Sequence, residues 1–188
     1  DDFKSFGFPY AYHITQDKEG NFWIAECDQL WKFDPIKLTT SSIDLKKPIQ
    51  GLDAETGYIP FIRDHDGILW FGGWGLVRID PETGTWKRYF WKDTDNRQAN
   101  NNVRDILCDS RNRLWITPPE GVDRVVIQAE NDSLTFHPLK TADGSLINAT
   151  NIVEDSAGNI CMGSHTGISV IRKNEHIESY PYKEGLPQ

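Results

Sequence analysis

The sequence predicts an all-β protein built from four repeats of about 46 residues. The chain of 188 residues holds seven Trp, nine Phe and six Tyr but one Met, and aromatic residues favour strands. A turn motif recurs as DKEGNFW, DHDGILW, DSRNRLW and DSAGNIC. The copies begin at Asp17, Asp64, Asp109 and Asp155, so that they stand 47, 45 and 46 residues apart. A nearly constant spacing of this size indicates a repeat architecture.

Each motif predicts a hairpin made of the first and second strands of a repeat. An apolar residue lies three places before each Asp in the first strand: Ile14, Phe61, Ile106 and Ile152. The Asp side chain accepts backbone hydrogen bonds in the turn, and three residues later stands a residue that tolerates positive φ. That residue is Gly in three copies and Asn112 in the third, and Asn is the non-Gly residue that adopts this conformation most readily. The second strand follows the turn.

Two more strands complete each repeat. The third strand is predicted at residues 30–33, 76–79, 122–126 and 168–171, and the fourth at 43–45, 86–89, 136–139 and 177–180. Four short antiparallel strands without helical periodicity describe a β-propeller blade. The predicted blades span about 8–47, 56–92, 102–140 and 149–182, and residues 1–7 form a stray outer strand. Four blades alone would leave sheet faces exposed, so we expect packing on further blades of a larger, seven-bladed type of propeller, or self-association.

The motifs resemble a known repeat family. DHDGILWFGGWGLVRIDPETGTWKRY, DSAGNICMGSHTGISVI and the final EGLPQ are similar to the two-component-regulator propeller repeat, and all four copies are recognisable. Cys161, Gln29 and the pair Pro118 and Pro119 depart from the family pattern. The resemblance implies a periplasmic sensor domain of a bacterial hybrid two-component system. In many members such a domain recognises oligosaccharide or polysaccharide fragments, and a transmembrane helix and a histidine kinase follow it.

Composition and motifs disfavour other classes of function. The net charge of −8 and the lack of a basic run argue against nucleic acid as a partner. No segment approaches the roughly 20 apolar residues that span a bilayer, so no direct membrane insertion is expected here. The five His residues lack the spacing of a metal site, and no nucleophile, Walker or dinucleotide motif occurs. We therefore expect no enzyme activity, metal or cofactor. The three Cys residues are expected to be free thiols.

The residues that recur in every copy are expected to be structural. The strand tryptophans Trp23, Trp70 and Trp115 are predicted to pack between neighbouring blades, with Cys161 as a smaller substitute in the fourth. Burial of such a ring is worth about 5 kcal/mol as an upper bound. Asp17, Asp64, Asp109 and Asp155 have a sufficient role in their turns.

Residues that differ between copies are better candidates for ligand binding. In a propeller, the loops between the second and third strands share one face with the connections between blades. Trp74, between glycines on such a loop, could stack on the apolar face of a sugar. Arg63 directly precedes its turn Asp and is expected beside the central channel. The candidate residues are Asp28, Arg63, Trp74, Trp91, Glu120 and His165.

Two alternatives to a sensor stay open. The elements around Trp70 to Pro81 are shared with streptogramin-lyase-like repeats, and a lyase would need a His and Glu cluster near the axis, to which Glu120 and His165 could contribute. The second alternative is a scaffold that binds other proteins without catalysis.

Overall fold

The four repeats form four separate antiparallel sheets of four strands in the computed structural model, as the sequence predicts. The structure describes residues 11–26, 29–48, 50, 59–90, 102–119, 121–128, 133–141 and 143–182. The predicted strand at residues 1–7 and the candidates Asp28, Trp91 and Glu120 lie outside this range. The described residues contain sixteen strands and no helix, and therefore no helix able to cross a membrane.

Each sheet follows the chain in simple order, with every strand hydrogen-bonded to the next. The first blade contains β1 (Ala11–Gln16), β2 (Phe22–Glu26), β3 (Gln29–Asp34) and β4 (Thr39–Asp44). The second contains β5 (Phe61–Arg63), β6 (Leu69–Phe71), β7 (Leu76–Ile79) and β8 (Trp86–Tyr89). The third contains β9 (Ile106–Cys108), β10 (Leu114–Ile116), β11 (Asp123–Gln128) and β12 (Ser133–Pro138). The fourth contains β13 (Asn151–Glu154), β14 (Ile160–Ser164), β15 (Gly167–Ile171) and β16 (Ile177–Pro181).

The outermost strands differ most from the sequence prediction. β4 runs over Thr39–Asp44 instead of residues 43–45, and β12 over Ser133–Pro138 instead of 136–139. β4 is almost entirely exposed, so its stability comes from its ladder with β3 and from β-branched Thr residues. An exposed strand has no alternation of apolar and polar residues. The sequence pattern therefore predicted the bounds of β4 poorly.

The first strands of the blades lie closest to one another. β1 adjoins β5, β5 adjoins β9, and β9 adjoins β13, so these four inner strands surround a common axis. The turn between the first and second strands projects at one end of each sheet, which we call the turn end. The opposite end, where the second strand leads into the third, is called the loop end.

Apolar cores fill the spaces between successive blades. Trp23 packs with Phe61, Leu69 and Phe71 of the second blade. Trp70 packs with Ile106 and Leu114 of the third. Trp115 packs with Ile152, Ile160 and Met162 of the fourth. The three tryptophans are 5%, 0% and 2% exposed, and each therefore joins its own blade to the next one along the chain.

The face of the fourth blade that turns away from the third carries exposed apolar side chains. Cys161 occupies the position of the strand tryptophans, paired with Val153 and Val170 across the sheet. On the same face, Val153, Ile168 and Tyr180 are 59%, 48% and 52% exposed. This surface corresponds to the faces of the first three blades that are buried against the next blade.

Candidate functional site

Equivalent residues of the four blades lie beside the axis where the inner strands begin at the loop end. These residues, His13, Pro60, Asp105 and Asn151, each lie four places before a turn Asp. The register of the sheets confirms their equivalence, since their partners on the second strand are Ala25, Gly72, Thr117 and Gly163. We call this set the axial ring. Three of its four members are polar, and each is followed in the chain by the apolar residue of the inner strand.

Asp105 links the third and fourth blades within the axial ring. Its carboxylate accepts the backbone N–H of Ile106 at 2.9 Å and that of Ile152 at 3.0 Å. Burial raises the pKa of Asp105, while these hydrogen bonds and the charge of His13 act in the opposite direction. A half-buried carboxylate that receives backbone donors from two blades fixes the spacing of their inner strands.

His13 belongs to the first blade, and its charge interacts with that of Asp105 in the third. Its ring stands edge-on to Phe61, with centroids 5.0 Å apart. Burial lowers the pKa of His13, and the charge of Asp105 opposes that change. His13 and Asp105 thus form an interacting pair contributed by the first and third blades. Sequence reasoning missed both residues because it examined the positions one and three places before the turn Asp, but not the fourth.

Trp74 lies at the loop end of the second blade and is 49% exposed. Gly73 and Gly75 beside it have φ angles of 139° and 96°. A Cβ at Gly75 would stand 2.9 Å from the Tyr89 carbonyl oxygen and 3.0 Å from the Phe90 ring, so only glycine lets the loop approach this closely. Phe90 is itself 48% exposed. The two exposed rings, Trp74 and Phe90, flank Gly75 and are called the aromatic pair.

His165 is also exposed at the loop end, but on the fourth blade. The loop around it is held by a 2.9 Å hydrogen bond between the hydroxyls of Ser164 and Thr166 and by the backbone bond from Tyr182 to Thr166. Trp74 and His165 therefore share an end of the structure but belong to different blades. Within the described ranges, no group of three potential metal-ligating side chains occurs.

Arg63 takes a position different from the one predicted. Its strand neighbours Leu69 and Ile79 face the first blade, and its side chain lines a cleft of about 420 Å³ between the first and second blades together with Trp23, Lys32 and Ser41. The prediction that Arg63 borders the central channel was wrong, because side chains alternate along a strand and this position points sideways toward the neighbouring blade.

The family comparison agrees with the motifs. The model of the family described as two component regulator propeller matches residues 98–118, which include the third turn motif. Over 140 residues, 70% of the chain, the sequence is 26% identical to histidine kinase P4 of Formosa agariphila, of which the match covers 10%.

Solved structures show the fold. Virginiamycin B lyase from Staphylococcus aureus superimposes with a TM-score of 0.59 at 18% identity, over 92% of this chain and 56% of the lyase. The extracellular domain of the hybrid two component system BT4673 from B. thetaiotaomicron gives a TM-score of 0.57 at 21% identity, over 85% of this chain and 21% of that domain. The chain thus spans about half of the lyase and smaller fractions of the other two proteins. These similarities confirm a β-propeller architecture.

Proposed function

Because the chain carries a two component regulator propeller repeat, we propose that it is the ligand-sensing segment of an extracytoplasmic two-component receptor. The segment binds its ligand without transforming it. The observation that supports ligand binding is the aromatic pair. Its two rings are exposed at the loop end, where Gly73 and Gly75 shape the loop that holds Trp74.

A carbohydrate is the ligand class that best suits this surface. Trp74 and Phe90 are each about half exposed. Aromatic side chains stabilise a protein or a complex most when they are buried, so these two could gain binding energy from a ligand that covers them. Exposed rings of this kind commonly mark binding surfaces. The apolar face of a sugar ring would cover an indole, while its hydroxyls stay hydrated. An oligosaccharide would extend from Trp74 toward the polar axial ring.

A periplasmic location follows from the same proposal. The solved relatives that are described as hybrid two component systems are represented by extracellular domains, which supports placement of this segment outside the cytoplasm. A membrane anchor and a kinase would then belong to other parts of the receptor.

The exposed face of the fourth blade suggests how the segment packs. Its residues are equivalent in position to those that are buried between blades in the first three interfaces. In the receptor it would pack on a further blade. In isolation the chain would bury it by self-association.

Calorimetric titration with a mixture of oligosaccharides, followed by titration with its fractions, tests the proposal. The Trp74→Ala variant should bind about 5- to 160-fold more weakly if one ring contributes about 1–3 kcal/mol. Trp86→Ala is the matched control, because Trp86 is similarly exposed at 45% but lies on the outer strand β8. Equal binding by the wild type and Trp74→Ala would refute the aromatic pair as the site.

The His13 and Asp105 pair favours a second candidate, a propeller lyase. A His with a lowered pKa stays neutral near pH 7 and can accept a proton. Turnover of a cyclic ester or glycan that disappears in His13→Ala or His165→Ala would establish an enzyme and overturn the sensor proposal. Binding of the same compounds without turnover would support the sensor.

A further inference from the structure

The residue directly before each turn Asp has a hydrogen-bonding partner in three blades. Gln16 donates to the Gly20 carbonyl oxygen at 3.2 Å. The Cys108 thiol donates to Asn112 Oδ1 at 3.2 Å. Glu154 accepts the backbone N–H and the hydroxyl of Ser110 at 2.7 and 2.6 Å. In these three blades, the side chain before the turn Asp therefore forms a hydrogen bond within the protein.

Arg63 is the exception at the equivalent position of the second blade. Its Nε is buried and has no hydrogen-bond acceptor in the described part of the chain. Arginine is permanently charged, and a buried N–H without an acceptor is unfavourable. The residue thus supplies a donor that no described group of the protein uses.

The cleft leaves room for an acceptor beside the guanidinium that lines it, while Nε itself is shielded from solvent. A Cβ at Gly67 would lie 2.8 Å from Nη2 of Arg63, so the guanidinium rests directly on a glycine. The cleft of about 420 Å³ is also lined by Lys32, Trp23 and Ser41. The Lys32 ammonium stands 5.3 Å from the centre of the Trp23 ring. Lys32 also pairs with Asp17 Oδ2 at 3.9 Å and covers the buried Trp23 ring, so Arg63 is the cation of this cleft whose Nε has no acceptor in the described part of the chain.

The acidic residues that line the cleft have other partners or are exposed to solvent. Asp80 Oδ1 accepts the backbone N–H groups of Glu82 and Thr83 at 2.9 and 3.3 Å. Asp66 Oδ2 accepts the side-chain amide of Asn112 at 2.8 Å. Glu82 is exposed to solvent. None of these carboxylates accepts a hydrogen bond from Arg63 Nε, although all three line the same cleft.

We propose that the cleft between the first and second blades binds the carboxylate of a small acidic ligand, with Arg63 as its main anchor. A planar carboxylate accepts the parallel N–H bonds that a guanidinium offers. Lys32 lines the same cleft and adds positive charge, although it also pairs with Asp17 Oδ2 at 3.9 Å. The volume of about 420 Å³ leaves room for a compact ring beside the guanidinium. A sugar acid has this combination of carboxylate and compact ring. The site is independent of the aromatic pair, which lies at the opposite end of the second blade.

Titration with glucuronate, observed by NMR at the arginine Nε–H groups, tests the proposal. The Arg63 signal should shift in a saturable manner, and the Arg78 signal should not. Arg78 is an internal control, because its Nε is likewise buried without an acceptor but it does not line the cleft. Glucose, which lacks the carboxylate, should shift neither signal.

Variants give a second measurement. Glucuronate affinity should fall about 10- to 100-fold in Arg63→Gln, the range expected for a lost hydrogen bond to a charged group, and should be unchanged in Arg78→Gln. Arg63→Lys keeps the charge without the planar fork and should bind more weakly than the wild type. Near-UV circular dichroism of each variant would establish that it is folded.

Three outcomes would overturn the proposal. They are an Arg63 signal that does not move with glucuronate, equal affinity for glucuronate and glucose, and glucose 6-sulfate binding more tightly than glucuronate. Loss of neutral oligosaccharide binding in Trp74→Ala tests only the aromatic pair, so the two proposals can fail separately.

Discussion

The indole Nε1 of Trp70 donates a 2.8 Å hydrogen bond to Oδ2 of Asp64, six residues earlier. Trp23 and Trp115 make the same bond to Asp17 and Asp109, both at 2.9 Å. The other carboxylate oxygen accepts backbone N–H groups of the turn, as Asp64 Oδ1 does from Asp66 and Ile68. One carboxylate thus holds the inner turn and orients the tryptophan that packs on the next blade.

The fourth blade lacks the tryptophan and uses another donor. The side-chain amide of Asn159 donates to Asp155 Oδ2 at 2.8 Å, as the equivalent amide of Asn21 does to Asp17 Oδ2 at 3.0 Å beside the indole of Trp23. Asp155 is exposed, whereas Asp109 is fully buried. The same turn therefore exists in a buried and an exposed form within one chain.

Asp109→Ala should destabilise the protein far more than Asp155→Ala. Asp109 accepts bonds from Trp115 and Arg113 without solvent exposure, and removal of a buried charged acceptor costs about 3 kcal/mol. Loss of the exposed Asp155 should cost far less, because solvent can replace its hydrogen bonds. Urea unfolding of both variants measures the difference, and equal losses of stability would contradict this account.

Acid should weaken the turns through the same carboxylates. Burial raises the pKa of Asp109, but hydrogen bonds from Trp115 and Arg113 outweigh it, so that the net pKa lies below its usual value. A carboxylate with a lowered pKa adds stability above its unfolded pKa, which is lost as the pH falls through the folded pKa. Acid titration of unfolding free energy should therefore show a weaker dependence on pH in Asp109→Asn than in the wild type.

Asn112 should be more sensitive to Ala than to Gly. Its φ of 59° lies in the left-handed region, and its side chain accepts from His65 N at 3.1 Å and donates to Asp66 at 2.8 Å. Asn112→Gly loses only the hydrogen bonds, at a cost of about 1 kcal/mol. Asn112→Ala also incurs backbone strain of about 1 kcal/mol more. Thermal unfolding separates the two costs, and a Gly variant as unstable as the Ala variant would exclude the strain.

His13 should make stability decrease in mild acid. Because burial holds its pKa below 6.5, the unfolded chain gains a proton at a higher pH than the folded chain. The free energy of unfolding should consequently begin to fall as the pH drops through the unfolded pKa of His, about 6.5. His13→Gln should flatten this part of the profile, measured by urea unfolding at each pH. An identical slope in the variant would exclude His13 as the cause.

Ile168→Glu should reduce self-association of the isolated chain. Ile168 is 48% exposed on the outer face of the fourth blade, and a charge there would have to be desolvated in any packed interface. Ile36→Glu is the control, since Ile36 is 88% exposed in the connection between β3 and β4. Light scattering measures the mass of each variant. A wild-type mass of one chain would contradict the prediction itself.

The sequence predicted the architecture because the features that define a blade are local. The turn Asp and the Gly or Asn three residues later lie within one hairpin, and the structure shows positive φ at Gly20, Gly67, Asn112 and Gly158. The bond from the strand tryptophan to the turn Asp was not predicted, although both residues were assigned structural roles. Their spacing of six residues has meaning only once the hairpin is folded.

The axial ring was less predictable than Trp74 because its residues meet across blades. His13 and Asp105 come from the first and third blades, and neither stands out by type in its own repeat. Comparison of the residues four places before each turn Asp would have found them, since that column contains His, Pro, Asp and Asn. Arg63 was selected for its charge, but its missing acceptor is visible only from its neighbours in space.

The bonds between inner turns have a mechanical consequence. Lys18 donates to the His65 carbonyl oxygen, Asn112 to Asp66, and Ser110 to Glu154, so each bond joins two blades beside the axis. The outermost strand lies three strand spacings farther out, about 14 Å from the inner strand. A rotation of one blade by about 5° around its inner strand would displace the outer strand by about 1 Å, with little change at the bonded turns. A small rotation at the inner strands therefore produces a larger displacement at the outer edge of a blade.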